Sequence, residues 1–328
     1  MKYRNLGKSG LKISEISIGA WLTYGGSVEN EIAAACVTKA IESGINFIDI
    51  ADVYARGKAE EVIGDIISDE TYNRKDLVIS SKVFWPMSEN VNDKGLNRKH
   101  IMESIEASLD RLGIDYLDMY FCHRYDYSTP LEETIEAMSD LVDSGLVHYW
   151  GTSVWSAVQL ERAVWTANDL GAHPPRVEQP RYNMLDRFIE RDIMDVCNHH
   201  GIGLVVWSPL GGGLLTGKYV DGMPEGSRGA TTEWLKRELT TENLEKIEQL
   251  NAVATEKGMT MNQLALAWIL RRPEISCAIT GATKPEHVTS NVEASDKELD
   301  KETLEKIEEI LQNEPSTHPI YRPIALDK

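Results

Sequence analysis

The strongest constraint on this chain is an alternation that never breaks. Short, largely apolar runs at 16–18, 46–50, 77–82, 116–122, 147–150, 203–207 and 275–279, and the stretch Val177-Glu178-Gln179, each read as a buried strand. Helical patterns follow them at 29–43, 58–67, 98–112, 130–144, 155–170, 189–200, 242–257 with 261–270, and 284–293. In 58–67, for example, Ala59, Val62, Ile63, Ile66 and Ile67 recur at i, i+3 and i+4. Gly44, Gly113 and Gly145 stand where helix C-termini favour a left-handed residue. Eight such units predict an α/β fold, the closed parallel (β/α)8 or TIM barrel, in preference to an open doubly wound sheet. An open dinucleotide-binding sheet would also show Gly-x-Gly-x-x-Gly after its first strand. None occurs there, and Gly211-Gly212-Gly213 follows the seventh strand instead.

Residues 2–14 alternate polar and apolar around Gly7-Lys8-Ser9-Gly10 and read as a β-hairpin cap on one end of the barrel. Residues 19–27 form a loop carrying Trp21, 208–234 a long Gly- and Pro-rich loop, and 301–311 an extra C-terminal helix. With 328 residues and no composition break, 1–328 is expected to be one barrel domain with 312–328 as a mobile C-terminal tail.

No apolar run approaches the roughly 20 residues of a membrane span, and the N-terminus has no signal-peptide core, so a soluble cytoplasmic protein without membrane insertion is expected. With 34 basic and 52 acidic residues the net charge is -18, which argues against nucleic-acid binding and requires a local basic pocket for any phosphorylated ligand. Cys36, Cys122, Cys197 and Cys277 are far apart and lack metal-ligand spacing, so reduced buried thiols and no metal site are expected.

The polar residues at strand ends carry the chemistry. Asp49 and Tyr54 follow the second strand, Lys82 ends the third and His123 follows the fourth. Singly, such residues are ordinarily rim or solvated groups. On three consecutive strands of a parallel barrel they converge at its C-terminal face. The set suits carbonyl reduction. Tyrosine is a poor proton donor near neutrality unless a cation such as Lys82 lowers its pKa. Asp49 would hold that lysine, and His123 would hydrogen-bond the carbonyl oxygen or help relay the proton. Hydride would come from a nicotinamide cofactor. Asp52, between them, reads as a loop residue.

The stretch 46–61 resembles the aldo-keto reductases, as do Ile79-Ser80-Ser81-Lys82, Gly151-Thr152-Ser153, Glu178-Gln179, the run 206–210, Gly217-Lys218-Tyr219 and the run 280–284. The resemblance covers roughly residues 2–312. Phe84-Trp85, the run 95–100, the run 149–153 and Trp155-Ser156 make the chain most like the branch containing the β subunits of voltage-gated potassium channels and their microbial relatives. Those channel subunits typically have Asn where this chain has His123.

The resemblance implies an NADPH-dependent reductase of aldehydes and ketones with Asp49, Tyr54, Lys82 and His123 as catalytic residues. It puts Ser153 and Gln179 on the nicotinamide carboxamide and Trp207 against the ring. Ser208, Pro209, Leu210 and Lys218 would reach the pyrophosphate, with Arg228 nearby. Trp21 and Trp85 would line the substrate side with Tyr54 and His123, Trp21 also touching the cofactor. Val154 stands where relatives often have Asn or Arg. Gly281, Thr283, Lys284, His287 and Asn291 match the adenosine-phosphate site, and Thr283 and Lys284 at a helix N-terminus favour NADPH over NADH. A homo-oligomer, tetramer or larger, is implied. Two alternatives remain: a cofactor-binding, redox-sensing regulatory subunit of a channel-like partner, and an NAD(P)-dependent sugar or alcohol dehydrogenase.

Overall fold

Residues 1–21, 24–25 and 29–316 are described by the structure, a computed structural model. Its elements run β1 (Tyr3–Asn5), β2 (Lys12–Ser14), β3 (Ile16–Gly19), α1 (Asn30–Glu42), β4 (Phe47–Asp49), α2 (Lys58–Ile67), β5 (Val78–Val83), α3 (Arg98–Leu112), β6 (Leu117–Cys122), α4 (Leu131–Asp143) and β7 (Val147–Ser153). There follow α5 (Ala157–Leu170), β8 (Val177–Gln179), α6 (Ile193–His200), β9 (Gly203–Val206), α7 (Arg228–Thr231), α8 (Glu233–Lys236), α9 (Thr241–Glu256), α10 (Met261–Leu270), β10 (Ile275–Thr280), α11 (Pro285–Glu293) and α12 (Lys301–Leu311). Strands β3 to β10 close a parallel barrel in sequence order, β10 pairing with β3. The TIM barrel predicted from the alternation is the fold, with β1 and β2 as a separate antiparallel hairpin and α12 as the extra helix.

Strand side chains alternate between the two faces of the sheet. The inward set of Phe47, Val78, Met119, Phe121, Val177, Val205, Cys277 and Ile279 forms its own apolar cluster inside the barrel. The outward set, including Ile48, Ile79, Tyr120, Leu204 and Ala278, joins the larger cluster under the helices. Leu6 and Ile13 of the hairpin complete the inner cluster from the N-terminal end, both fully buried. Each such side chain contributes about 1.5–3 kcal/mol by leaving water. The cap seats closely at Gly7 (φ 55), where a Cβ would meet the Gly201 carbonyl oxygen at 2.3 Å. The bottom of the barrel is thus plugged with hydrocarbon.

Helix bounds follow local caps. A Ser156–Gln159 capping box starts α5 two residues after the start expected from apolar spacing, and Asn97 caps α3, which ends at left-handed Gly113. Two expectations change. The helix read over 189–200 is a 3-10 turn, Phe188–Glu190, followed by α6, because Asp192 (φ -154) interrupts the helical backbone. The loop read over 208–234 contains the 3-10 segment Gly211–Thr216, α7 and α8, anchored by buried Leu214, Leu215 and Leu235. Residues 22, 23 and 26–28 of the Trp21 loop, and 317–328 of the C-terminal tail, lie outside the described residues. No helix among the described residues is long and apolar enough to cross a membrane.

Candidate active site

The inward parity that fills the barrel continues to its upper rim. Two residues beyond Phe47 comes Asp49, four beyond Val78 comes Lys82, and two beyond Phe121 comes His123. Two beyond Gly151 comes Ser153, two beyond Val177 comes Gln179, and two beyond Val205 comes Trp207. One periodicity therefore aims both the apolar plug and the polar rim at the barrel axis. Parallel pairing carries on past the strand ends, as Asp52 N–H to the Lys82 carbonyl and His123 N–H to the Val83 carbonyl show.

At the centre Lys82, fully enclosed, donates to Asp49 Oδ2 at 2.7 Å and to the Ile50 carbonyl at 2.6 Å. Asp49 Oδ1 accepts from Ser80 Oγ at 2.7 Å and Gln179 Nε2 at 2.9 Å. The Lys82 ammonium lies 5.0 Å from the Tyr54 ring centroid, and that ring meets His123 edge-on at 5.9 Å. Trp85 stands against His123 at 6.3 Å, and the Arg124 guanidinium is 5.7 Å from the Trp85 ring. Across the mouth, Trp21 meets Trp207 edge-on at 5.8 Å and stacks on Trp234 at 6.0 Å.

Burial raises the Tyr54 phenol well above its ordinary range, Asp49 adds to this, and Arg124 pulls the other way. The expectation that Lys82 lowers this pKa is thereby corrected. In the resting site the burial of the phenol outweighs the attraction of the ammonium 5.0 Å from its ring. The Lys82 ammonium is itself lowered by burial, with Asp49 opposing. Burial, then Lys82 and Arg124, hold His123 well below its usual value, so its ring is neutral at pH 7. Its Nδ1 is buried without a partner among the described residues.

The turn presenting Tyr54 is strained. Ala55 (φ 50), Arg56 (φ 55) and Gly57 (φ 89) follow it in left-handed conformation. Gly57 leaves room for Arg111, whose side chain a Cβ would meet at 2.8 Å. Arg111 goes on to pair with buried Glu60 at 2.7 Å, and Glu60 also accepts from Ser81 Oγ at 2.6 Å. Asp52 lies in the turn after β4, as read from the sequence, and is fully buried there. One of its oxygens accepts from Val53 N–H at 2.6 Å, and the other has no partner among the described residues. Burial, reinforced by Glu60, pushes its carboxyl well up.

The remaining rim residues divide into two groups. Ser153 donates to the Gln179 carbonyl at 2.9 Å, Trp207 bridges to Arg181, and Ser208 adopts φ 55 with its carbonyl held by Asn183 at 3.1 Å. Pro209 is buried and Leu210 half-buried beside them. Farther out, Lys218 and Lys284 lie near enough to His287 that both cations depress its pKa, after burial. Thr283 shares a 3.4 Å contact with the same imidazole. Gly281, Thr283 and Lys284 are exposed, Arg228 is half-buried with no ion pair among the described residues, and Asn291 is buried with its Oδ1 engaged by Asn262 at 3.0 Å. The barrel thus gathers a basic cluster in an acidic chain, tempered by Glu286.

Reading the sequence missed Arg124, Ser80, Glu178 and Trp234. Inward parity could have found Ser80. Glu178, fully buried, accepts from Thr152 Oγ1 at 2.5 Å and Trp155 N–H at 3.2 Å beneath the loop carrying Ser153.

A nicotinamide dinucleotide fits these residues. A flat indole and amide and hydroxyl groups line the barrel mouth, and the basic cluster lies at the far rim where phosphates need charge. Among the described residues no group of His, Cys, Asp and Glu could hold a metal ion.

Comparison with known proteins agrees with this architecture. The chain is 45% identical to a probable voltage-gated potassium channel subunit beta of Arabidopsis thaliana over 98% of its own length and 100% of that protein's. It is 43% identical to the protein of the same description from Oryza sativa subsp. japonica, with the same coverage. The model of the aldo/keto reductase family matches residues 15–312, and the chain belongs to that family.

Proposed function

We propose that the chain is an NADPH-dependent reductase that converts aldehydes and ketones to alcohols, with Tyr54 as the proton donor. The observation that carries this reading is the meeting of a protonated phenol, a carboxylate-held ammonium and a neutral imidazole on three adjacent strands. NADPH, bound along Ser153, Gln179, Trp207, Ser208, Pro209 and Leu210 with its phosphates toward Lys218, Arg228, Thr283 and Lys284, supplies the hydride. His287 and Gly281 border the same phosphate region, and Asn291 braces its helix.

Tyr54 gives its proton to the carbonyl oxygen as charge develops there. The Lys82 ammonium stabilises the phenolate that results, and Asp49 and the Ile50 carbonyl fix that ammonium in place. Neutral His123 donates a hydrogen bond to the same carbonyl oxygen. Trp21 and Trp85 flank the mouth and exclude water. The tetrad runs equally in the reverse direction, from alcohol to carbonyl.

The full-length similarity to proteins described as potassium channel β subunits supports a second reading, a regulatory subunit whose bound cofactor reports redox state. NADPH absorbance followed with a panel of aldehydes separates the two. The reductase reading predicts many turnovers per protein, whereas one slow turnover that stops at a single equivalent supports the regulator.

A further inference from the structure

Arg124 stands beside the proposed pocket, over the Trp85 ring. Its guanidinium, half-buried, donates to the His123 carbonyl at 2.5 Å and lies over Trp85, and it makes no ion pair among the described residues. Of the undescribed residues, 22, 23 and 26–28 carry no carboxylate, and the one acidic side chain in 317–328 is Asp327. Of the nearby acids, Glu178 acts on the Arg124 charge from a distance, and neither it nor Asp126 forms an ion pair with it. Asp126 accepts from Leu96 N–H at 2.8 Å, Ser128 N–H at 2.8 Å and Thr129 Oγ1 at 2.8 Å, and Glu178 is buried under the β7–α5 loop. A guanidinium has five donors in a fixed fork, and a partly buried charge without a counterion is costly.

The contacts run in one line, from Tyr54 to His123, from His123 to Trp85, and from Trp85 to Arg124. The Arg124 charge also reaches Tyr54 itself. The counterion is not the cofactor's phosphate, because β6 and β10 lie on opposite sides of the closed barrel, and Lys218, Lys284 and His287 gather beside β10. With Lys82 paired to Asp49 and Glu178 held by Thr152 and Trp155, Arg124 is the cation on the substrate side that has no ion pair among the described residues. One such cation matches one carboxylate and falls short of a phosphate dianion.

Building on the reductase reading, we propose that Arg124 binds a carboxylate on the substrate, so that the preferred substrates are short aldehydo or keto acids with the carboxylate a few bonds from the carbonyl. The carbonyl is reduced at Tyr54 and His123, while the carboxylate, unchanged, is held by the guanidinium fork against the Trp85 face.

The test compares kcat/KM for 4-oxobutanoate and its uncharged methyl ester. Wild type should prefer the acid by at least about tenfold, the range of one charge-assisted pair. Arg124→Gln should bring the acid-to-ester ratio to within about twofold of one, and Arg124→Lys should keep an intermediate preference. A wild-type ratio near one, or a preference retained in Arg124→Gln, overturns the proposal. A binding measurement separates this outcome from failure of the reductase reading. Benzoate and benzamide are titrated into the NADP+-loaded protein by tryptophan fluorescence. If neither aldehyde turns over, tighter benzoate binding lost in Arg124→Gln still supports the anion site, and equal binding of the two compounds refutes it.

Discussion

Val154 is a β-branched residue at φ 60, a conformation that its side chain strongly disfavours. Among the described residues the other non-glycine positive φ values fall at Ala55, Arg56, Ser208 and Gln312. All but Gln312 lie within two residues after Tyr54, Ser153 or Trp207, so backbone strain collects where the proposed site residues are presented. At 44% exposure Val154 packs against little. Asn tolerates the left-handed region far better. Val154→Asn should therefore stabilise the fold by roughly 0.5–1 kcal/mol, visible as a rise of about 1–2 °C in Tm by calorimetry. A lower Tm would show that the valine is relaxed where it stands. The sequence marked Val154 only as an unusual neighbour of Ser153. Its φ depends on how β7 meets α5, which residue identity alone does not encode.

At the scale of elements, β8 holds the adjoining loop through Glu178. The strand's parity sends Gln179 inward and Glu178 outward beneath the start of α5, where Thr152 Oγ1 and Trp155 N–H bind it. Burial raises the Glu178 carboxyl from its ordinary 4.5 to about 7, although these hydrogen bonds oppose the shift. A carboxyl whose folded pKa lies above its unfolded one contributes its stability at low pH and loses it as pH rises. Wild type should thus lose up to roughly 3 kcal/mol from this group between pH 4.5 and 7. His123, buried and neutral, acts in the opposite sense, so the comparison must be with a variant. Urea unfolding of wild type and Glu178→Gln at pH 5 and pH 8 should show the variant gaining on wild type at the higher pH. A constant difference between the two pH values would contradict the assignment. Glu178-Gln179 was legible as a motif, but the division of labour within it required knowing which face of β8 looks inward.

For the whole molecule, the barrel was legible because most of its parallel strands are buried on both faces and so write short, largely apolar runs. Asp49, Lys82 and His123 were legible because a polar or charged side chain closing such a run is costly to bury unless partners meet it there. What depended on closure was hidden. Lys218 and Lys284 both act on His287 from segments distant in sequence, Asp52 is buried, and Arg124 shows that it has no ion pair among the described residues only once its surroundings are assembled. Local signals also failed where the backbone broke a pattern, as in the 3-10 turn ahead of α6. The central claim is that this closure builds a proton donor rather than a passive rim. Tyr54→Phe keeps the ring and removes only the hydroxyl, so steady-state reduction of an aldehyde and NADPH affinity can be measured on the same variant. The account predicts that turnover falls by about 10²–10⁴-fold while the NADPH Kd changes by less than about twofold. Turnover near the wild-type rate in Tyr54→Phe would contradict it.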